Sequence, residues 1–298
     1  AVQQLLPDAT VGYDVADRRL LMLGGGTLIN RLTYLEALRR HDSPRLERVV
    51  FGTGVADPVY WDLTEPTEGW VDYLDSCSYV GVRGPRSEAL LREWGFDGEL
   101  EILGDVGLSI QPATPTEKED GLVVVSPAWT NGELWGEDDG RVFTALAGLV
   151  TEMRRQGREV AYMSCSPGDD RHIMEIMKQS NSLDARYVAA YDDHDAGFEI
   201  LAAAGVVVAE RLHAAVVAAG CGTPFVAVEY RPKIRDFARS VDQEDYVVRS
   251  DEVTSDNLAA LVAAVEAEGF AARLNPAVDR YRARQRRVAE QLSSLLQD

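Results

Sequence analysis

The residues best suited to chemistry gather around position 210. Val206-Val207-Val208-Ala209 is an apolar run of strand length, and Glu210-Arg211-Leu212-His213 then opens an alanine-rich helical stretch. The first N–H groups of a helix carry partial positive charge and have no carbonyl partner within it. Arg211 adds a planar, bidentate cation and His213 a titratable group at the same strand end. That combination suits a small polyanion with a proton donor beside it. The structural alternative is a Glu210–Arg211 ion pair and a satisfied core histidine, which these residues alone leave equally open. Further on, Gly220-Cys221-Gly222-Thr223-Pro224 turns the chain into Phe225–Val228, and Tyr230-Arg231-Pro232-Lys233 brings two more cations to a neighbouring strand end.

Three other strand ends carry candidates. Gly24-Gly25-Gly26-Thr27 follows the run Leu20–Leu23 and would let backbone N–H groups approach an anion or hydroxyl. It matches neither G-x-G-x-x-G nor a P-loop, so a tight strand-to-helix turn is an equal reading. Val82-Arg83-Gly84-Pro85 places Arg83 where a guanidinium could grip carboxylate or phosphate. A surface ion pair is the alternative for Arg83. Ser126 to Gly136 offers hydrogen bonds from Ser126, Thr130 and Asn131, and flat apolar faces from Trp129 and Trp135. The alternative there is a packed loop. Asp192-Asp193-His194-Asp195 and Glu137-Asp138-Asp139 read as acidic helix starts rather than metal ligands. No G-x-S-x-G or spaced His–Cys pair suggests a nucleophile.

The elements that must position these groups alternate. Short apolar runs are separated by helical patterns, among them Arg86–Trp94, Asp139–Arg155, Asp169–Gln179, Asp195–Ala204 and Leu212–Ala219. Alternation of this kind predicts parallel sheets with helices on both faces. Gln111 to Asp120 is polar, proline-containing and without period, and reads as a linker between two doubly wound, Rossmann-like halves facing a cleft. The expected boundaries are residues 1–112, 113–270, and a charged C-terminal helix within 271–298, from about Pro276, that could cross back.

Composition narrows the classes. The chain has 298 residues, 46% of them apolar, and a net charge of −19. That charge argues against nucleic acid and against docking on anionic lipid, but a few convergent arginines can still bind a small anion. Cys77, Cys165 and Cys221 are widely spaced and form no C-x-x-C, so a reducing, cytoplasmic setting without structural disulfides or zinc is expected. No run approaches the length of a transmembrane helix.

The block from Glu210-Arg211-Leu212-His213 through Gly222-Thr223-Pro224 and Tyr230-Arg231-Pro232-Lys233 to Phe237 resembles the C-terminal signature of the polysaccharide pyruvyl transferase family. Gly24-Gly25-Gly26-Thr27-Leu28, Val82-Arg83 with Ser87, and Gly104-Asp105 with Leu108 are weaker matches in the same order. The resemblance implies two Rossmann-like domains in a GT-B-like arrangement. It implies phosphoenolpyruvate as co-substrate, a glycan hydroxyl pair as acceptor, and neither cofactor nor metal. It places Arg211, Leu212 and His213 at the phosphoenolpyruvate site, with His213 as acid and Lys233 or Arg83 assisting. Gly24, Gly25, Gly26, Thr27, Ser126, Asn131 and Trp135 would line the acceptor side or the cleft. Asp105 and Glu210 are the candidates for a base. Family members start with a strand and a Gly/Asn/Asp-containing loop before the segment matching Ala1 to Pro7, so the first domain is expected to lack its first strand. Some members also carry a basic residue in the loop matching Ser126 to Gly136, and none is present here. The competing functions are a GT-B-type glycosyltransferase using a nucleotide sugar and a non-catalytic relative that binds a glycan or protein.

Overall fold

The structure is a computed structural model that describes residues 5, 19–63, 67–110, 116–267 and 270–297. The segment Ala1 to Pro7 other than Leu5, and residues 111–115 of the expected linker, lie outside these. The chain divides into two compact units, Ala1–Ile110 with Asp279–Asp298, and Gln111–Val278.

In the first unit the strands are β1 (Leu20–Leu23), β2 (Gly26–Ile29), β3 (Glu47–Val55), β4 (Tyr79–Val82) and β5 (Glu101–Ile102), with helices α1 (Leu32–His41), α2 (Pro58–Trp61), α3 (Glu68–Asp75) and α4 (Pro85–Glu93) between them. All pair in parallel, in the order β1-β3-β4-β5, and β2 also pairs with β3. Side chains alternate across β3, as a pleated strand requires. Val50 and Val55 pack with Leu35 and Leu38 of α1, Trp70 and Leu74 of α3, and Leu90 of α4. Val49 and Phe51 face the other way, onto Val288, Ala289 and Leu292 of the C-terminal helix. That helix is also fixed by polar contacts: Gln285 Nε2 donates to Leu103 O at 3.1 Å and Asp105 O at 3.0 Å.

The glycine run differs from its expected form. β1 and β2 both run along β3, so Gly24 and Gly25 interrupt one extended course rather than turning it into a helix; α1 begins only at Leu32. Arg83 explains the hold on β2. Its guanidinium, 1% exposed, donates to Gly26 O at 3.2 Å and Thr27 Oγ1 at 3.1 Å. Neither the surface ion pair nor an exposed fork at a strand end describes it; Arg83 is packed into the sheet it ties together. Asp105 caps the short 3-10 turn Val106–Ser109 by accepting from Gly107 N at 2.9 Å.

The second unit holds β6 (Glu119–Ser126), α5 (Asp139–Arg155), β7 (Glu159–Ser164), α6 (Asp169–Gln179), β8 (Arg186–Ala189), α7 (His194–Ala203), β9 (Ala204–Ala209), α8 (Leu212–Gly220), β10 (Phe225–Glu229), α9 (Lys233–Ser240), β11 (Val247–Arg249), α10 (Ser255–Ala267) and the start of α11 (Phe270–Gln297). Glu119 and Asp120 therefore belong to a strand, not to the linker. The expected last helix starts six residues earlier than Pro276, which lies inside it. The parallel order β11-β10-β9-β6-β7-β8 winds outward in both directions from the β6–β9 pair. At that pair the strand order reverses, and crevices of open α/β sheets form at such points. The central parts of β6 and β9, Leu122–Val125 and Val206–Ala209, are apolar and buried because helices cover both faces.

The packing around Arg83 makes a specific prediction. A Cβ at Gly54 would lie 2.4 Å from Arg83 Nη2, whereas one at Gly24 would meet nothing within 4 Å. Gly54→Ala is expected to destabilise the protein by about 1–3 kcal/mol. Gly24→Ala should leave urea denaturation unchanged.

Candidate active site

The loops that leave β6, β7 and β9 converge at the switch point. Ser126 O, at the end of β6, accepts from Glu210 N at 2.9 Å and Arg211 N at 3.3 Å, so the signature segment is fastened directly to the neighbouring strand. Arg211 caps α8 with extended backbone and no side-chain cap. The first N–H groups of α8 thus point away from the helix without intrahelical acceptors.

The arginine's partner is Asp169, at the start of α6, and not Glu210. Arg211 Nε lies 2.9 Å from Asp169 Oδ2, and Nη2 also donates to Asp169. The Asp169 carboxylate is fully buried and further accepts from Trp129 N at 2.8 Å and Cys165 N at 3.2 Å. Among the described residues, Arg211 bonds Asp169 through Nε and Nη2, lies with Nη2 3.5 Å from Trp129 O, and also interacts with the Tyr230 phenol.

Glu210 has a different task. Its Oε2 accepts from Ala128 N at 2.7 Å, and the residue is 1% exposed. Burial first, with Asp139 and Asp169 nearby, pushes its carboxyl up to about 8, against the Ala128 hydrogen bond and Arg211. Through Oε2 Glu210 positions the β6 loop, while Oε1 is buried without a hydrogen-bond partner among the described residues. The same loop is held by Thr130 Oγ1 on Asp139 at 2.6 Å, by Gly132 N on Asp139 at 2.9 Å, and by His172 Nδ1, which donates to Ala128 O at 3.1 Å.

The remaining expected residues separate. Ser126 is buried, with its Oγ 3.7 Å from Cys165 Sγ. Asn131 sits exposed at a loop tip with φ of 54°. Trp135 is stacked under Arg249, whose guanidinium carbon is 4.4 Å from the ring centroid, so the exposed indole of this loop is Trp129. Lys233 Nζ and the Arg231 guanidinium lie over the Tyr230 ring at 5.0 and 5.1 Å, and Arg231 also pairs with Glu133. Burial raises the Tyr230 phenol, and Arg211 is among the cations that oppose this. Lys233 therefore shares a neighbour with Arg211, whereas Gly24, Gly25, Gly26, Thr27 and Arg83 belong to the first unit. The acidic runs act as helix starts: Asp193 Oδ1 accepts from Ala196 N, and Asp138 Oδ1 from Arg141 N.

His213 is exposed on the first turn of α8 and borders a cavity of about 260 Å³. Met163, Cys165, Phe198, Leu201 and Val217 make its walls, with Tyr191 and His194 also lining it. Sequence reasoning missed this cavity and Asp169. The small polar stretch Ser164-Cys165-Ser166-Pro167-Gly168-Asp169 at the end of β7 was the available signal, since loops at strand ends line such sites.

Two parallel α/β units, with a cationic helix start at the switch point of the second, define a transferase of GT-B-like fold. Similar solved structures agree on the fold. They include the E. coli trehalose-6-phosphate structure bound with UDP-2-fluoro glucose (TM-score 0.58, 13% identity, covering 100% of this chain and 76% of that one). The S. aureus MnaA–UDP structure gives 0.60 at 9% identity over 99% and 80% of the two chains. The pneumococcal O-GlcNAc transferase GtfA with UDP and GlcNAc gives 0.54 at 12% over 89% and 60%. The polysaccharide pyruvyl transferase family model matches residues 1–232, and the chain belongs to that family.

Glu210 makes the pH dependence of stability predictable. Unfolded, its carboxyl ionises near pH 4 as usual; folded, it stays protonated to about pH 8. The unfolded chain thus releases a proton that the native state retains, and stability is lost as pH rises between these values. Glu210→Gln is expected to flatten that decline, measured by denaturation between pH 5 and 8.

Proposed function

We propose that this transferase moves the pyruvyl group of phosphoenolpyruvate onto two hydroxyls of one glycan residue, forming a cyclic ketal and releasing phosphate. The observation that carries this reading is the placement of Arg211 and His213 together at the start of α8, one held by a buried carboxylate and the other exposed beside a cavity. Phosphoenolpyruvate carries a carboxylate and a phosphate, which the Arg211 guanidinium and the N–H groups of the Leu212–His213 turn would hold, with Lys233 nearby.

His213 protonates the methylene carbon. The π electrons form the new C–H bond, and the adjacent carbon becomes electrophilic. One hydroxyl oxygen attacks that carbon and gives up its proton. The second hydroxyl displaces phosphate and closes the ring. Of the two hydroxyl protons, one restores the acid and the other leaves with phosphate. The base has no assignment, because Glu210 is enclosed and Asp105 caps a turn. All three cysteines are thiols, and no described helix is long and apolar enough to cross a membrane. Both features fit a reaction in the cytoplasm, where phosphorylated metabolites are available.

A second reading is transfer from a nucleotide sugar. The cavity beside α8 favours it, having room for a planar ring, as do the uridine nucleotides in the similar structures named above. Release of inorganic phosphate from phosphoenolpyruvate in the presence of a glycan supports pyruvyl transfer; release of UDP from a sugar nucleotide overturns it. His213→Ala is expected to lower kcat by roughly 10²–10⁴-fold while phosphoenolpyruvate binding changes little. Arg211→Ala is expected to weaken that binding by about 10- to 100-fold in calorimetry. Full turnover by His213→Ala would remove the assignment of the acid.

A further inference from the structure

We propose that the cavity bordered by His213 is the subsite for the methylene end of the enolpyruvyl group, and that it admits donors bearing a further alkyl substituent on that carbon. The inference rests on the pyruvyl-transfer reading above. It starts from a mismatch of chemistry. The Arg211 side of the site is cationic, whereas the cavity, which Tyr191, His194 and His213 also line, has its apolar part at Met163, Cys165, Phe198, Leu201 and Val217. Burial raises the Cys165 thiol, so it stays uncharged and adds to the apolar wall. A carboxylate or phosphate placed there would lose its hydration without compensation. The methylene is the one apolar end of phosphoenolpyruvate.

Position agrees with polarity. Cys165 joins the cavity to the anion site, since its N–H donates to the Asp169 carboxylate that holds Arg211. Val217 stands one turn beyond His213 on the same face of α8 and reaches the same cavity. A donor with its anionic groups at Arg211 and the helix start would thus turn its methylene toward the cavity, beside the imidazole that protonates it. The methyl formed by that step would rest against the apolar side chains of the cavity.

Size extends the inference. The cavity is about 260 Å³, whereas a water-sized group needs only about 30 Å³. One added methyl therefore has space, and narrowing the cavity should remove it.

Calorimetric titration with phosphoenolpyruvate and with 2-phosphoenolbutyrate, which has one more methyl on the reacting carbon, tests this without any acceptor. The wild-type protein is expected to bind both within about tenfold. Val217→Phe, which fills part of the cavity, should weaken the butyrate analogue by about tenfold more than it weakens phosphoenolpyruvate. Val217→Leu, a milder filling, should shift the ratio the same way and covers the case in which the phenylalanine variant fails to fold. Refusal of the analogue by a wild-type protein that binds phosphoenolpyruvate overturns this subsite alone. So does an unchanged ratio in a folded Val217 variant. Absence of phosphoenolpyruvate binding overturns the pyruvyl-transfer reading and the subsite with it.

Discussion

The candidate site depends on one buried carboxylate. Asp169 takes hydrogen bonds from the backbone of the β6 loop at Trp129, the backbone of the β7 loop at Cys165, and the side chain of Arg211 after β9. Three separate strand ends are thereby fixed to one group with no exposure to water. A buried carboxylate must be paired and fully hydrogen-bonded to persist. The same requirement gives the arginine a single orientation. Catalytic groups need positions fixed to a fraction of an ångström, and a cation restrained from behind meets that need better than a free surface arginine.

Glu210 complements this. It lies next to Arg211 in sequence, yet burial keeps it protonated to about pH 8 and directs it to Ala128 N. Two acids within reach of one arginine thus take opposite electrostatic roles. Asp169 is the counter-ion and Glu210 a hydrogen-bonded strut. An anion binding at Arg211 would gain from this division, because a second full negative charge at Glu210 would repel it.

Arg83 serves the first unit in a related way. A buried guanidinium bonded to Gly26 and Thr27 holds β2 against β3 where the glycines break the strand. Gly54 leaves the space it occupies. The cation sits in a sheet because Gly26 O and Thr27 Oγ1 supply acceptors for its two terminal nitrogens in place of solvent, while its Nε is buried without a hydrogen-bond partner among the described residues.

The sequence by itself determined the class of fold, since alternating apolar runs and helical periods admit few arrangements other than parallel sheets. It also determined the signature around Arg211 and His213, because helix start, cation and imidazole are adjacent in the chain and their chemistry is local. The family resemblance read from that block agrees with the match over residues 1–232. Partnerships at long range were decided only by the tertiary structure. Arg211 and Asp169 are 42 positions apart and Glu210 and Ala128 are 82 apart, and no local period links them. Arg83 looked like a surface or ligand-binding cation because its acceptors, 56 and 57 positions away, come from a strand that glycine composition disguised as a turn. Trp129 and Trp135 are equivalent in the sequence; the stacking of Arg249 on Trp135 separates them. The cavity beside His213 is assembled from β7, the segments that follow β7 and β8, and helices α7 and α8. Burial and cavity shape arise from packing between elements, and the chain order of those elements does not encode them directly.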